Sequence, residues 1–166
     1  DRSVVAQYFS WVGHALTGDL GRSWFTTIPV ADSIRTALPV DLSIAALALV
    51  LAILIGGGAG IGAALSNGGP FDRVVTLVCS LLGTLPPFVI GMALIVVFAV
   101  KLQVLPAGGY VPIGQDPLEW LRFSILPGLA LSLDVAASIA RQLRTSLTGE
   151  LRENYAIGAE MPGFGR

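Results

Sequence analysis

Cysteine and histidine are almost missing from this chain: Cys79 and His14 are the single representatives of each. Such a pair cannot form an intramolecular disulfide or a zinc cage, and it makes a Cys/His nucleophile pair only if the fold joins the two. Charge is scarce as well, at 13% of residues with a net of −1, so there is no basic footprint for nucleic acid and no acidic tail. The glycine run from Gly56 to Gly62 lacks the Gly-Lys-Ser/Thr that a phosphate loop needs. The serines have no nearby base, and no two carboxylates fall at one membrane depth, so the sequence offers no catalytic set and no metal site. An initiating methionine and a signal peptide are lacking too; beginning at Asp1 and stopping at Arg166 in a glycine-rich turn, the sequence reads as a piece of a longer polypeptide.

What is present points to lipid: 54% apolar residues and 20 glycines describe an all-α integral membrane protein, not a soluble domain. Residues 42–65 carry no charge, and at ~1.5 Å per residue they make a helix of ~36 Å, enough for a hydrocarbon core of ~30 Å. Residues 74–100 are also uncharged and would reach ~40 Å if straight. Pro86 and Pro87 stand near the middle of that run, each deleting a helical donor and crowding the carbonyl four residues back, so a kink or a short break is expected there. A third span runs over 123–140, with Pro127 in its first turns and Asp134 in its middle.

Arg141, Arg144, Arg152 and Arg166 cluster after the third span, and Arg73 lies between the first two. By the positive-inside rule those sides are cytoplasmic. The domain reading is therefore an extracytoplasmic amphipathic segment, 1–41, and a transmembrane domain, 42–166, whose cytoplasmic segment is 141–166. Within 1–41, Val4, Val5, Tyr8, Val12, Ala15 and Leu16 recur at helical spacing up to Gly18. A second short helix is predicted from Pro29 to just before Pro39. Both suit the outer membrane surface, where Trp and Tyr are favoured.

Four features stand out as sites. The pairs Gly56/Gly60 and Gly58/Gly62 are four apart, which bares a helix face and lets another helix approach closely. Asp134 is the ionisable group well inside a span. Its insertion cost of ~2.5 to 3.5 kcal/mol argues that it faces protein or water, either lining the pathway with Pro86 and Pro87 and meeting a cationic part of the solute, or paired within the bundle. Arg141 and Arg144, three apart, can snorkel and mark a cytoplasmic helix end. Leu143, Leu147, Leu151 and Tyr155 repeat every four residues, an apolar seam that needs a protein partner or the bundle's own underside.

The phrases "AQYFSWVGHALTGDLGRSW", "PVADSIRTALP", "FDRVVTLVCSLLGTLPPFVIGMALIVVFAVKLQVLPAGG", "ILPGLALSL", "IARQLRTSL" and "LRENYAIGAEMPGFGR" together resemble the permease subunits of ABC importers for peptides and nickel, over nearly the whole chain. The resemblance implies a type I importer permease of six helices, with one helix expected before Asp1 and two after Arg166. It implies a bacterial inner-membrane location and a pathway for di- or oligopeptides, with nickel or another small solute as the alternative cargo. Implied partners are a second homologous permease, two cytoplasmic ATP-binding subunits that carry ATP and Mg, and an extracytoplasmic solute-binding protein; this chain binds no cofactor and catalyses no reaction. Tyr155, Ala156, Ala159, Gly163 and Phe164 fall on the segment that such permeases offer to their ATPase, and the family's basic pair falls on Arg141 and Arg144. The family's usual Asp-Tyr is here Asn154-Tyr155. The chain departs from the pattern at Glu160 and Pro162, where basic residues are usual, and at Asp134, where proline is common. A proton- or ion-coupled secondary transporter would suit Pro86, Pro87 and Asp134 but has no reason to present a coupling segment, and a structural membrane scaffold would not need a carboxylate at depth.

Overall fold

The computed structural model describes residues 3–151, and the chain divides into two compact units, 1–43 and 44–166. In the first, α1 (Val4–Leu16) starts at Ser3, whose Oγ accepts from the Ala6 amide at 3.3 Å, a side-chain cap on a free helical donor. Its apolar residues stay exposed, among them Val4, Tyr8 and Trp11. Residues 21–30 then fold back on themselves, with the Val30 amide donating to the Gly21 carbonyl at 2.9 Å and the Ser23 amide to the Ile28 carbonyl at 3.0 Å. Trp24 and Phe25 at the tip of this loop are 97% and 98% exposed.

Helix α2 runs unbroken from Val30 to Ser66 with Pro39 inside it. The predicted short helix ending before Pro39 is therefore corrected: it is the first part of the membrane helix. Proline removes one hydrogen bond, here to the carbonyl of Arg35, and a long apolar helix can carry that loss as a local distortion instead of a stop.

In the second unit α3 (Pro70–Leu82), α4 (Pro87–Leu94), a π-helical segment (Ile95–Lys101) and α5 (Pro117–Glu150) follow. The predicted kink at Pro86-Pro87 is a break: α3 ends at Leu82, Pro86 caps α4, Pro87 is its first residue, and the two arms are bent by 106°. Proline at the first helical position is well placed, because that amide has no intrahelical acceptor in any case. Helix α5 opens on Asp116, whose carboxylate accepts from the amides of Leu118 at 2.9 Å and Glu119 at 3.1 Å, with Pro117 behind it. Pro127 sits inside α5 without ending it.

Among the described residues two helices, α2 and α5, are long and apolar enough to cross a membrane, and the bent pair makes a third crossing if it counts as one span. The packing supports that count. A Cβ on Gly128 would lie 3.1 Å from Leu47; one on Gly56 would lie 2.5 Å from the Ala136 carbonyl oxygen, and one on Gly60 2.9 Å from that of Ala140. Residue numbers rise together on both helices, so α2 and α5 run parallel. Against α3 and α4 the numbers run oppositely: Asp72 meets Arg144, Cys79 packs on Ala137, and Gly91 lies beside Ala130. The bent pair therefore returns the chain from one end of α5 to the other, which is one crossing.

The core is built from small residues. Ala52, Ala63 and Ala64 of α2 and Ala136, Ala137 and Ala140 of α5 are all below 4% exposed. Where lipid offers no hydrophobic drive between helices, such residues let backbones meet and gain dispersion contact. Ser124 and Ser132 of α5 are buried among them; Ser132 Oγ donates to the Leu129 carbonyl at 3.0 Å, while Ser124 Oγ has no partner among the described residues. The Gly56/Gly60 pair is thus the α5-facing row, whereas Gly58 has no neighbouring atom within 4 Å and Gly62 faces the Phe71 ring.

Gly56→Leu is expected to destabilise the α2–α5 contact by ~1 to 3 kcal/mol, because its side chain meets backbone that cannot swing away. Gly58→Leu is the control. A thermal-stability series on the detergent-solubilised protein reads the difference, and equal melting temperatures for the two variants would refute the packing assignment.

Candidate functional site

The chemistry in the membrane unit collects at the end of α5 that carries Arg141 and Arg144. Helix α2 stops at Ser66, and the chain turns through Asn67 and Gly68, both with positive φ, the latter at 85°. That left-handed backbone costs glycine little. Asp72 follows in the first turn of α3, where a carboxylate is favoured by the exposed amides and the helix dipole. Its Oδ2 accepts from the Gly68 amide at 3.0 Å, so the side chain reaches back over the turn that precedes its helix.

The Asp72 carboxylate is only 2% exposed as a residue, and Arg144 clasps it with two nitrogens: Nε donates to Oδ1, and Nη2 to Oδ2 at 2.8 Å. This is the planar two-bond geometry that guanidinium and carboxylate share. Thr76 Oγ1 adds a longer bond to Oδ1 at 3.5 Å. Each charge therefore has its counter-ion at the point where burial would otherwise penalise it. Arg141, a turn earlier on α5, is used differently. Its Nη1 donates to the Cys79 carbonyl at 2.9 Å and its Nη2 to Ser138 Oγ at 3.1 Å. Cys79 lies in the last turn of α3, and its carbonyl, which already accepts from the Gly83 amide at 3.1 Å, takes a second bond from the guanidinium just before the break.

Sequence reasoning took both arginines as side chains that snorkel at a helix end. In the structure α5 runs on past them to Glu150, and both side chains bond to α3. Asp72 was missed. The signal was available, since a carboxylate in "GPFDR" between two spans needs a counter-charge, but which of the arginines supplies it depends on the antiparallel packing.

Asp134 lies in the middle of α5, half-buried, with no hydrogen bond or ion pair among the described residues. Pro86 and Pro87 are exposed at the break. The structure does not bring them to Asp134's own turn: α4 packs near Ala130, one turn earlier on α5. Among the described residues no group of three metal-ligating side chains occurs. Tyr155, Ala156, Ala159, Gly163 and Phe164 lie outside the described residues.

A double-mutant cycle tests the clasp. Asp72→Ala and Arg144→Ala should each lower the melting temperature of the solubilised protein, and the double variant should lose clearly less than their sum, because the second change no longer strands a charge. Simple additivity would show that the pair does not interact.

Residues 52–166 match the family model described as binding-protein-dependent transport system inner membrane component. A probable peptide ABC transporter permease protein of Sinorhizobium fredii is 34% identical over 160 residues, covering 96% of this chain and 51% of that protein. The oligopeptide transport system permease protein OppB of Salmonella typhimurium is 36% identical over 162 residues, 97% of this chain and 51% of OppB. A putative peptide transport system permease protein of Brucella abortus is 33% identical over 163 residues, 98% of this chain and 52% of that protein. The chain spans about half the length of these relatives. With the glycine row, Asp72 and both arginines all inside the matched stretch, this chain belongs to the family of inner-membrane components of binding-protein-dependent transport systems.

Proposed function

We propose that this chain is part of a permease subunit that forms, in the bacterial inner membrane, the translocation pathway of an ATP-driven peptide importer. The observation that carries the reading is the identity of 33% to 36% over nearly the whole chain with proteins named as peptide permeases. The chain does no bond chemistry of its own. ATP and Mg belong to two cytoplasmic ATP-binding subunits, a solute-binding protein delivers cargo from outside, and a second, homologous permease completes the pathway.

In this reading Arg141, Arg144 and Asp72 stand at the cytoplasmic end, and Asp134, Pro86 and Pro87 line the pathway. Tyr155, Ala156, Ala159, Gly163 and Phe164 form the coupling segment that docks on an ATP-binding subunit. Helix α5 leads toward that segment, and its two arginines hold α3. A push on the segment would therefore move α3 with α5, while α4 lies beyond the break.

Right-side-out vesicles carrying the complete complex, with the solute-binding protein outside and ATP inside, should take up peptide with ATP alone and not with an imposed proton gradient alone. Uptake driven by the gradient would make the transporter a secondary one. Gly163→Trp should leave insertion intact and reduce ATP-driven uptake by about tenfold or more, since a residue without a Cβ lets two chains approach closely. Gly114→Trp is the control, at a position with no neighbouring atom within 4 Å. Parental uptake and normal co-purification of the ATPase with Gly163→Trp would remove the coupling assignment.

A further inference from the structure

We propose that the groove between α4 and the first half of α5, together with Asp134, binds the amino-terminal residue of a peptide, with its apolar side chain in the groove and its protonated α-amino group at the carboxylate. The proposal rests on the peptide-importer reading and adds to it the part of the cargo that is recognised and the residue that does so.

The groove has a volume of about 550 Å³ and is walled by Pro87, Phe88 and Gly91 on one side and by Phe123, Ala130 and Leu131 on the other, under the loop 106–109. No charged residue lines it. Its size falls within the ~300 to 1,000 Å³ typical of small-molecule sites. On a helix, residues three and four apart share a face, so Asp134 continues the wall set by Ala130 and Leu131, ~6 Å further along the α5 axis. Asp134 is not itself one of the residues that line the groove; it follows Ala130 by one turn on the same face of α5.

Among the described residues no cation pairs with that carboxylate. Helix α5 carries three arginines, and each is engaged elsewhere: Arg122 with Glu119 at 2.6 Å, Arg141 with the Cys79 carbonyl and Ser138, and Arg144 with Asp72. Asp134 itself makes no hydrogen bond or ion pair among the described residues. A carboxylate at membrane depth without a partner among the described residues points to a cation that they do not supply.

The chemistry narrows what that partner is. A guanidinium presents a wide planar fork that is best met by several acceptors, whereas an ammonium is a compact group of three donors that one carboxylate can anchor. In a lysine side chain the ammonium ends a flexible four-carbon stem, with no apolar bulk beyond it. In the first residue of a peptide, ammonium and side chain leave the same Cα, so a charge and an apolar body arrive within one helical turn of each other. That matches the spacing between Asp134 and the groove.

The test uses the complete transporter with its binding protein, in proteoliposomes energised by ATP. Probes are a short peptide beginning with leucine, its N-acetylated form, and the same peptide beginning with glycine. Asp134→Asn should reduce the parental preference for the free over the acetylated amino terminus by about tenfold, and Asp134→Glu should retain it. Leu131→Trp, which fills the groove, should raise KM for the leucine peptide by a larger factor than for the glycine peptide. The binding protein is the same throughout, so its own preference cancels in each comparison of variant with parent. A parent that transports no peptide would overturn the reading of function itself. A transporting parent whose preference survives in Asp134→Asn would overturn the site alone. Loss of assembly in Asp134→Asn with recovery in Asp134→Glu would show that the carboxylate pairs with another chain, and this too would overturn the site. Equal effects of Leu131→Trp on both peptides would remove the groove from it.

Discussion

A carboxylate at the start of a membrane helix is held there only if its charge is answered, and Asp72 is answered by Arg144 from a position 72 residues away in sequence. Much else follows from that bond. It fixes the beginning of α3 against the far end of α5, and so sets the antiparallel sense in which α3 and α4 climb back along α5. It also anchors the turn 66–69 through the Gly68 amide, which places the end of α2 beside the same end of α5. One ion pair thus ties together the ends of three helices where their chain connections give no rigidity of their own.

Helix α5 acts as the common partner. One of its faces meets α2, by close backbone approach at Ala136 and Ala140 and by the Leu47 and Leu51 side chains at Gly128, and a second, with Ala130, Ala137, Arg141 and Arg144, meets the bent pair. The first contact is apolar and depends on the absence of side-chain volume. The second combines small residues with two guanidinium anchors. Close packing and charge pairing are therefore separated on different sides of one helix, and only the second side ends in groups whose bonds have direction.

Much of this was legible in the residues. Uncharged runs marked α2 and the bent pair, the Val4–Leu16 periodicity marked α1, and Pro86-Pro87 marked the interruption, because each is a local matter of transfer energy or backbone chemistry. Gly56 and Gly60 were legible as a close-approach row; Gly58 belongs to the opposite face and was not distinguishable by spacing alone. Pro39 misled, since a proline states that one hydrogen bond is lost but not whether the flanking apolar turns carry the helix past it. The functional cluster was half legible: the arginines stood out as a charge pattern, whereas Asp72 became meaningful only once the chain had returned along α5. No local rule links positions so far apart.

The break between α3 and α4 has a consequence of its own. The amides of Gly83, Thr84 and Leu85 all donate within the turn, to Cys79, Leu81 and Leu82, and Pro86 and Pro87 have no amide hydrogen to offer. From Gly83 to Pro87 the interrupted backbone therefore leaves no donor unpaired, and its remaining hydrogen-bonding capacity is carbonyl oxygen. What this stretch of backbone has left to offer is acceptor oxygen, and a donor already stands at its edge, the Arg141 guanidinium on the Cys79 carbonyl.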